Sequence, residues 1–270
     1  MGKPTRFQQA LTLASYVVVE ALRTRFFTIV LSLLLICVGL AVFLGQIAII
    51  ESRGTQSGLI GAFLRLSAVY VTSLFVITST VREFHDNTIY LWLSLPIPRH
   101  TYLWGKLLGF ICITSIVVML FGLFLVGLLL CGHPPYFQAI VQIVLWTISL
   151  WSELLIVTIT SFLCVLTFQH TIQAVSAVLG FYILARSISA IQLMAEGPLH
   201  DAGSLADQFI YLMIQLIAIL LPKLESFTQS SWLVYHTGTW EELFNIVVQT
   251  AVYLLLLTAM SLFDLYRKNF

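Results

Sequence analysis

The sequence predicts an all-α integral membrane protein: six transmembrane helices, an N-terminal interfacial helix, a short helix between spans 2 and 3, and a re-entrant outer hairpin before span 6. Three observations predict it. Hydrophobic residues make up 59% of the 270-residue chain and charged residues only 9%, with a mean hydropathy of +0.98; soluble domains carry about 25% charged residues. Six apolar runs each approach or exceed the ~20 residues needed to cross a hydrocarbon core of about 30 Å. The basic residues are distributed unequally between the loops on the two sides, as positive-inside asymmetry requires. Residues 1–270 read as a single membrane domain, so any large soluble activity is expected to come from a partner. The net charge of +1 gives no basic footprint for nucleic acid.

Residues 7–25 come first. Phe7, Ala10, Leu11, Ala14, Val17, Val18, Ala21 and Leu22 recur at helical spacing and predict an amphipathic helix in the membrane interface. Arg23 and Arg25 mark the turn into the bilayer. The apolar run that follows begins too late and is too long for a signal peptide. Spans are expected at about 26–49, 60–81, 106–131, 139–166, 172–194 and 246–266. An even number puts both termini on one side. That side carries Lys3, Arg6, Arg23, Arg25, Arg82, Arg99, Lys106, Arg267 and Lys268, against Arg53 and Lys223 opposite, so it is expected to be cytoplasmic.

The loop at 195–245 then faces outward and is acidic, with Glu196, Asp201, Asp207, Glu225, Glu241 and Glu242. Within it the apolar stretch "FIYLMIQLIAILLP" is too short to span before Pro222 and reads as re-entrant or interfacial. A seventh span would carry Arg267 and Lys268 outside, against the charge asymmetry. Cys37, Cys112, Cys131 and Cys164 all lie in apolar runs and read as small buried hydrophobes, with no disulfide framework and no metal site. Gly122 and Gly127 suit close contact between helices.

The stretch "REFHDNTIYLWLSLPIPRHTYLWGKLLGF", residues 82–110, breaks the apolar pattern. Phe84, Thr88, Leu91, Trp92 and Leu95 fall on one side of a helix that can rest on the inner membrane surface. Glu83, Asp86 and Asn87 are expected in its first turns, where acidic groups suit the helix dipole, and Pro96 and Pro98 end it.

The order Glu83, Asn87-Thr88-Ile89, Leu93-Ser94, Pro96-Ile97, Arg99, Tyr102, Gly105-Lys106 resembles the segment between the second and third spans of type-2 ABC exporter permeases. Asn87 stands where that family has glycine, and Pro98 where it has serine. The resemblance extends to the topology, and "ILLPKLESF" (219–227) resembles the outer loop of permeases described as acting in multicopper-enzyme maturation. It implies that residues 82–95 form a coupling helix seated in an ATPase, with Arg82, Glu83, Asp86, Asn87, Thr88, Leu91, Trp92, Ser94, Pro96 and Arg99 at that contact. It further implies a bacterial inner-membrane exporter of two permease chains, identical or related, and two ATPase subunits. ATP and Mg would be bound by those partners, with no cofactor on this chain. A separate ATPase also agrees with the residues: Gly105-Lys106 is followed by Leu107, and His100 stands where a phosphate-binding loop needs glycine.

Charges inside the membrane are costly and usually paired or functional. Glu153 lies 13 residues from the inner end of its span and Arg186 14 from the inner end of the next, about 20 and 21 Å at 1.5 Å per residue. Their equal depth predicts an ion pair between spans 4 and 5, serving either to lock those helices or to handle substrate. Arg65, near the outer end of span 2, is expected to snorkel to the outer interface, with anion binding the alternative. Catalytic readings find little footing: His236 near Glu241 and Glu242 lacks the spacing that puts two metal ligands on one helical face, and His133 and His170 read as loop residues. A secondary transporter would need no ATPase, yet the paired broken helices common in that class are not visible. A non-transporting membrane anchor is the other alternative. The scarcity of polar groups in the spans favours an apolar or amphipathic cargo.

Overall fold

The computed structural model describes residues 6–47, 52–86, 98–132, 137–195 and 205–267. Among them the chain is helical and without strands: α1 (Arg6–Arg23), α2 (Phe26–Ile47), α3 (Ser52–His85), α4 (Arg99–Gly132), α5 (Phe137–Phe168), α6 (Thr171–Ala195), α7 (Leu205–Leu220), a 3₁₀ turn (Leu224–Ser226), α8 (Ser230–Tyr235) and α9 (Trp240–Arg267). Six of these, α2 to α6 and α9, are long and apolar enough to cross a membrane.

Several helices outrun the apolar segments that announced them. α3 continues from the expected 60–81 to Ser52 and His85, and α4 begins at Arg99, directly after Pro98, instead of at 106. Proline suits that position because the first helical residues have no intrahelical acceptor for their N–H groups. α9 starts at Trp240 rather than 246, with the Glu242 amide donating to Thr239 Oγ1 (3.3 Å) and Glu241 and Glu242 in its first turn. Hydropathy finds the segment that lies in hydrocarbon, whereas backbone hydrogen bonding carries a helix on into the polar layers.

α5 is the axis of the bundle, packing against α3, α4, α6, α8 and α9. It is buried along most of its length, from Ala139 to Leu166. Phe26, Phe75, Phe110 and Phe162 form a ladder through α2, α3, α4 and α5, with centroid separations of 4.5, 6.2 and 6.1 Å. Each such pair contributes about 0.5–1.5 kcal/mol beyond its buried area. Small residues set the close approaches, as they do between helices in lipid. A Cβ on Gly122 would lie 2.8 Å from Thr147 Cγ2, so Gly122 is a true α4–α5 contact, whereas Gly127 faces open space and is not one. Cys37 is buried, but Cys112 is exposed on α4, contrary to its apolar setting in sequence; an outward helix face in lipid is as apolar as an inward one.

One face of α1 packs into the bundle. Ala10, Leu13, Val17 and Ala21 are buried, while Leu11 and Leu22 stay exposed. α1 packs along α4, where Gly105 and Gly109 admit it: Cβ atoms there would each fall 2.7 Å from Leu13 Cβ and Val17 Cβ. α5 and α6 are joined by a tight turn at Gln169 and His170, with Gln169 in the left-handed region at φ 57°.

Candidate functional site

Two polar clusters lie toward opposite ends of α3, named inner and outer after the sides expected from the distribution of basic residues. The inner cluster gathers α1, α3 and α4. Arg82 and Glu83 occupy the last turns of α3, where the Asp86 amide still donates to the Arg82 carbonyl (2.9 Å). This corrects the expectation that Glu83 opens a separate helix: the helix of span 2 runs through Glu83 to His85, Asp86 sits in the turn that follows, and Glu83 finds an inward partner. Lys106 Nζ of α4 lies 2.5 Å from Glu83 Oε1, and both side chains are almost wholly buried. Tyr102 donates its hydroxyl to Glu83 Oε2 (2.9 Å), and Lys106 Nζ also sits 5.4 Å from the centre of the Phe110 ring. Beside this pair, Ser79 Oγ donates to Glu20 Oε2 of α1 (2.7 Å). Arg82 Nη1, 3.9 Å from Glu20 and 56% exposed, adds a weak surface contact. Asp86 is exposed. Arg99 opens α4; Asn87, Thr88, Leu91, Trp92, Ser94 and Pro96 lie outside the described residues.

The outer cluster clasps the segment after Pro222. One stripe of α5 presents Gln142, Trp146, Ser149 and Glu153 at helical spacing, and all four are buried. α6 supplies Tyr182 and Arg186 one turn apart, and α3 supplies Ser57, Gly58, Gly61 and Arg65. Glu153, fully buried, accepts from Tyr182 Oη (2.9 Å), from Arg186 Nη1 (3.2 Å) and from Thr228 Oγ1. Arg186 Nη1 also donates to the Leu224 carbonyl (3.0 Å), and the Thr228 amide to Ser149 Oγ (2.9 Å). The sequence reading therefore brought the right two residues together but missed their object, which is the 224–228 turn. Arg65 does not snorkel outward. Its Nη1 donates to the Thr228 carbonyl (3.1 Å), an inward partner for a cation withdrawn from water.

Further out, Gln142 exchanges two hydrogen bonds with the Gly238 backbone (3.0 and 3.1 Å). Ser57 Oγ donates to the Leu233 carbonyl (3.3 Å), and α8 rests on Gly58 and Gly61, where any Cβ would meet Val234 or Leu233 within 2.6 Å. The segment is thus held against the bundle by side chains from three spans. Thr228, at φ 42°, is the residue composition could not single out. A threonine in the left-handed region is strained and persists only where its surroundings hold it. Among the described residues no group of three His, Cys, Asp or Glu side chains could hold a metal ion.

No protein-family model and no curated protein matches the chain.

Proposed function

We propose that this chain is the membrane-spanning permease of an ATP-driven exporter of the type-2 ABC kind, paired with a second permease chain in a bacterial inner membrane. Two separate ATPase subunits bind ATP and Mg and dock on the segment around 82–99, with both termini on the cytoplasmic side. The observation that carries the reading is the layout of α3. Its inner end holds Glu83, ion-paired to Lys106 of α4, and Arg65 of the outer clasp stands 18 residues away on the same helix, about 27 Å at 1.5 Å per residue. The two helices that flank residues 87–97 are therefore tied together through Glu83 and Lys106. A push on that segment moves both as one body, α1 with them through Gly105 and Gly109, and reaches the clasp that holds the 224–228 turn. Work done by a cytoplasmic engine is delivered where an export path must open. Switching needs such a contiguous element with two arrangements.

The test is co-purification. The tagged chain, extracted in mild detergent, should carry a nucleotide-binding ATPase, and Asp86→Lys should weaken the association. Asp86 is chosen because it is exposed, whereas Glu83→Lys would set a second cation against buried Lys106 and unfold the inner cluster. A folded chain that retains no ATPase would remove the engine. Glu153, a fully buried carboxylate midway along α5, would then favour an ion-coupled transporter instead.

A further inference from the structure

We infer that the outer clasp is a binding site for an anionic group, a phosphate or a carboxylate, that enters between the guanidinium groups of Arg65 and Arg186. The inference does not depend on an ATPase. It rests on a charge count. Arg65 and Arg186 meet at one residue pair: Arg65 bonds the Thr228 carbonyl, and Thr228 Oγ1 bonds the Glu153 carboxylate that Arg186 holds. Among the described residues Glu153 is the one carboxylate that pairs with Arg186, and Arg65, bonded to the Thr228 carbonyl, forms no ion pair. Glu225, on the clasped segment itself, is exposed and forms no ion pair with either. Two cations therefore stand with one anion in a low-dielectric setting.

Neither arginine can relieve the excess by releasing a proton, since a guanidinium stays charged in proteins. Nor can Arg65 swing its charge to the surface without giving up the Thr228 carbonyl. The geometry leaves capacity for a ligand. Arg65 Nε is sealed from solvent with no hydrogen-bond partner. Arg186 uses Nη1 for both its protein contacts and keeps 22% of its side chain accessible. A planar guanidinium pair with open donors matches phosphate or carboxylate oxygens. An anion bound here would neutralise the site and brace the 224–228 turn, so the ligand would report on the state of the clasp.

The experiment uses the purified full chain in phosphatidylcholine nanodiscs and reads hydrogen exchange of the peptide covering 222–235. One arm titrates phosphatidylglycerol into the bilayer; the other adds inorganic phosphate against chloride at equal ionic strength. A saturable rise in protection at one ligand per chain is expected in one arm, and that arm identifies whether the anion is lipid-borne or free. Arg65→Gln keeps an amide donor for Thr228 but removes the charge. Its apparent affinity should fall about tenfold or more, the loss expected for one charge-assisted hydrogen bond. Lys223→Gln, at an exposed neighbouring cation, should leave the affinity unchanged. No saturable response in either arm, or an equal response in wild type and Arg65→Gln, overturns the inference. Should Arg65→Gln fail to fold, the wild-type titration and Arg65→Lys, which retains the charge and should retain the response, decide it.

Discussion

Replacing Glu153 with alanine tests the clasp at its centre. The carboxylate accepts hydrogen bonds from Tyr182, Arg186 and Thr228, and it is fully buried. Removing it strands a guanidinium and two hydroxyls in the bundle. Breaking a buried ion pair from one side costs about 3–5 kcal/mol. At 1.4 kcal/mol per tenfold, the closed form of the clasp should lose roughly two to three and a half orders of magnitude in population. The reporter is the Thr228 amide, which is buried and bonded to Ser149 Oγ at 2.9 Å. Hydrogen exchange of a peptide spanning 222–235 should accelerate by that order, while peptides from the inner half of α5 keep their protection. Glu153→Gln should fall between, since an amide oxygen still accepts but leaves both arginines without a countercharge. Unchanged protection at 222–235, or a loss spread evenly over all helices, would refute the idea of a local clasp.

The other expectations concern parts remote from Glu153. Glu83→Gln and Lys106→Met should each destabilise the protein by about 3–5 kcal/mol in unfolding experiments, whereas the double variant should recover most of that loss, because it leaves no unpaired buried charge. Gly105→Val should lift α1 from α4 at a cost of about 1–3 kcal/mol and speed hydrogen exchange in a peptide covering 8–23. Gly39→Ala, which meets open space, should be neutral or slightly stabilising in the same assays. Gln142→Ala should free the Gly238 backbone and speed exchange around 236–240 without touching the 224–228 turn.

The sequence made some of this legible and concealed the rest for physical reasons. The six crossing helices could be read because a bilayer demands long apolar runs, and no tertiary information is needed to see them. The meeting of Glu153 and Arg186 could be read from equal depth on adjacent helices, since a charge in hydrocarbon needs a partner at its own level. Arg65 misled because snorkelling and inward bonding are both open to a long side chain near a helix end; the choice depends on the Thr228 carbonyl, 163 residues away. Glu83 misled in the same way. Its helical neighbours placed it beside Asp86 at a surface, while its stabilising partner, Lys106, comes from the next span. The burial of Leu13 on α1 depends on two glycines of α4 that periodicity within α1 cannot report. Periodicity assigns a face to each helix, but the partner that covers it is a property of the assembled bundle.

Placing a photo-crosslinking amino acid at Asp86 in intact membranes tests the central claim most directly, because that side chain is exposed at the inner end of α3. The account predicts one dominant adduct with an ATPase subunit, diminished when nucleotide drives that subunit through its cycle, and none from Tyr235 of α8. Adducts with lipid alone, or an ATPase adduct from Tyr235 instead, would contradict it.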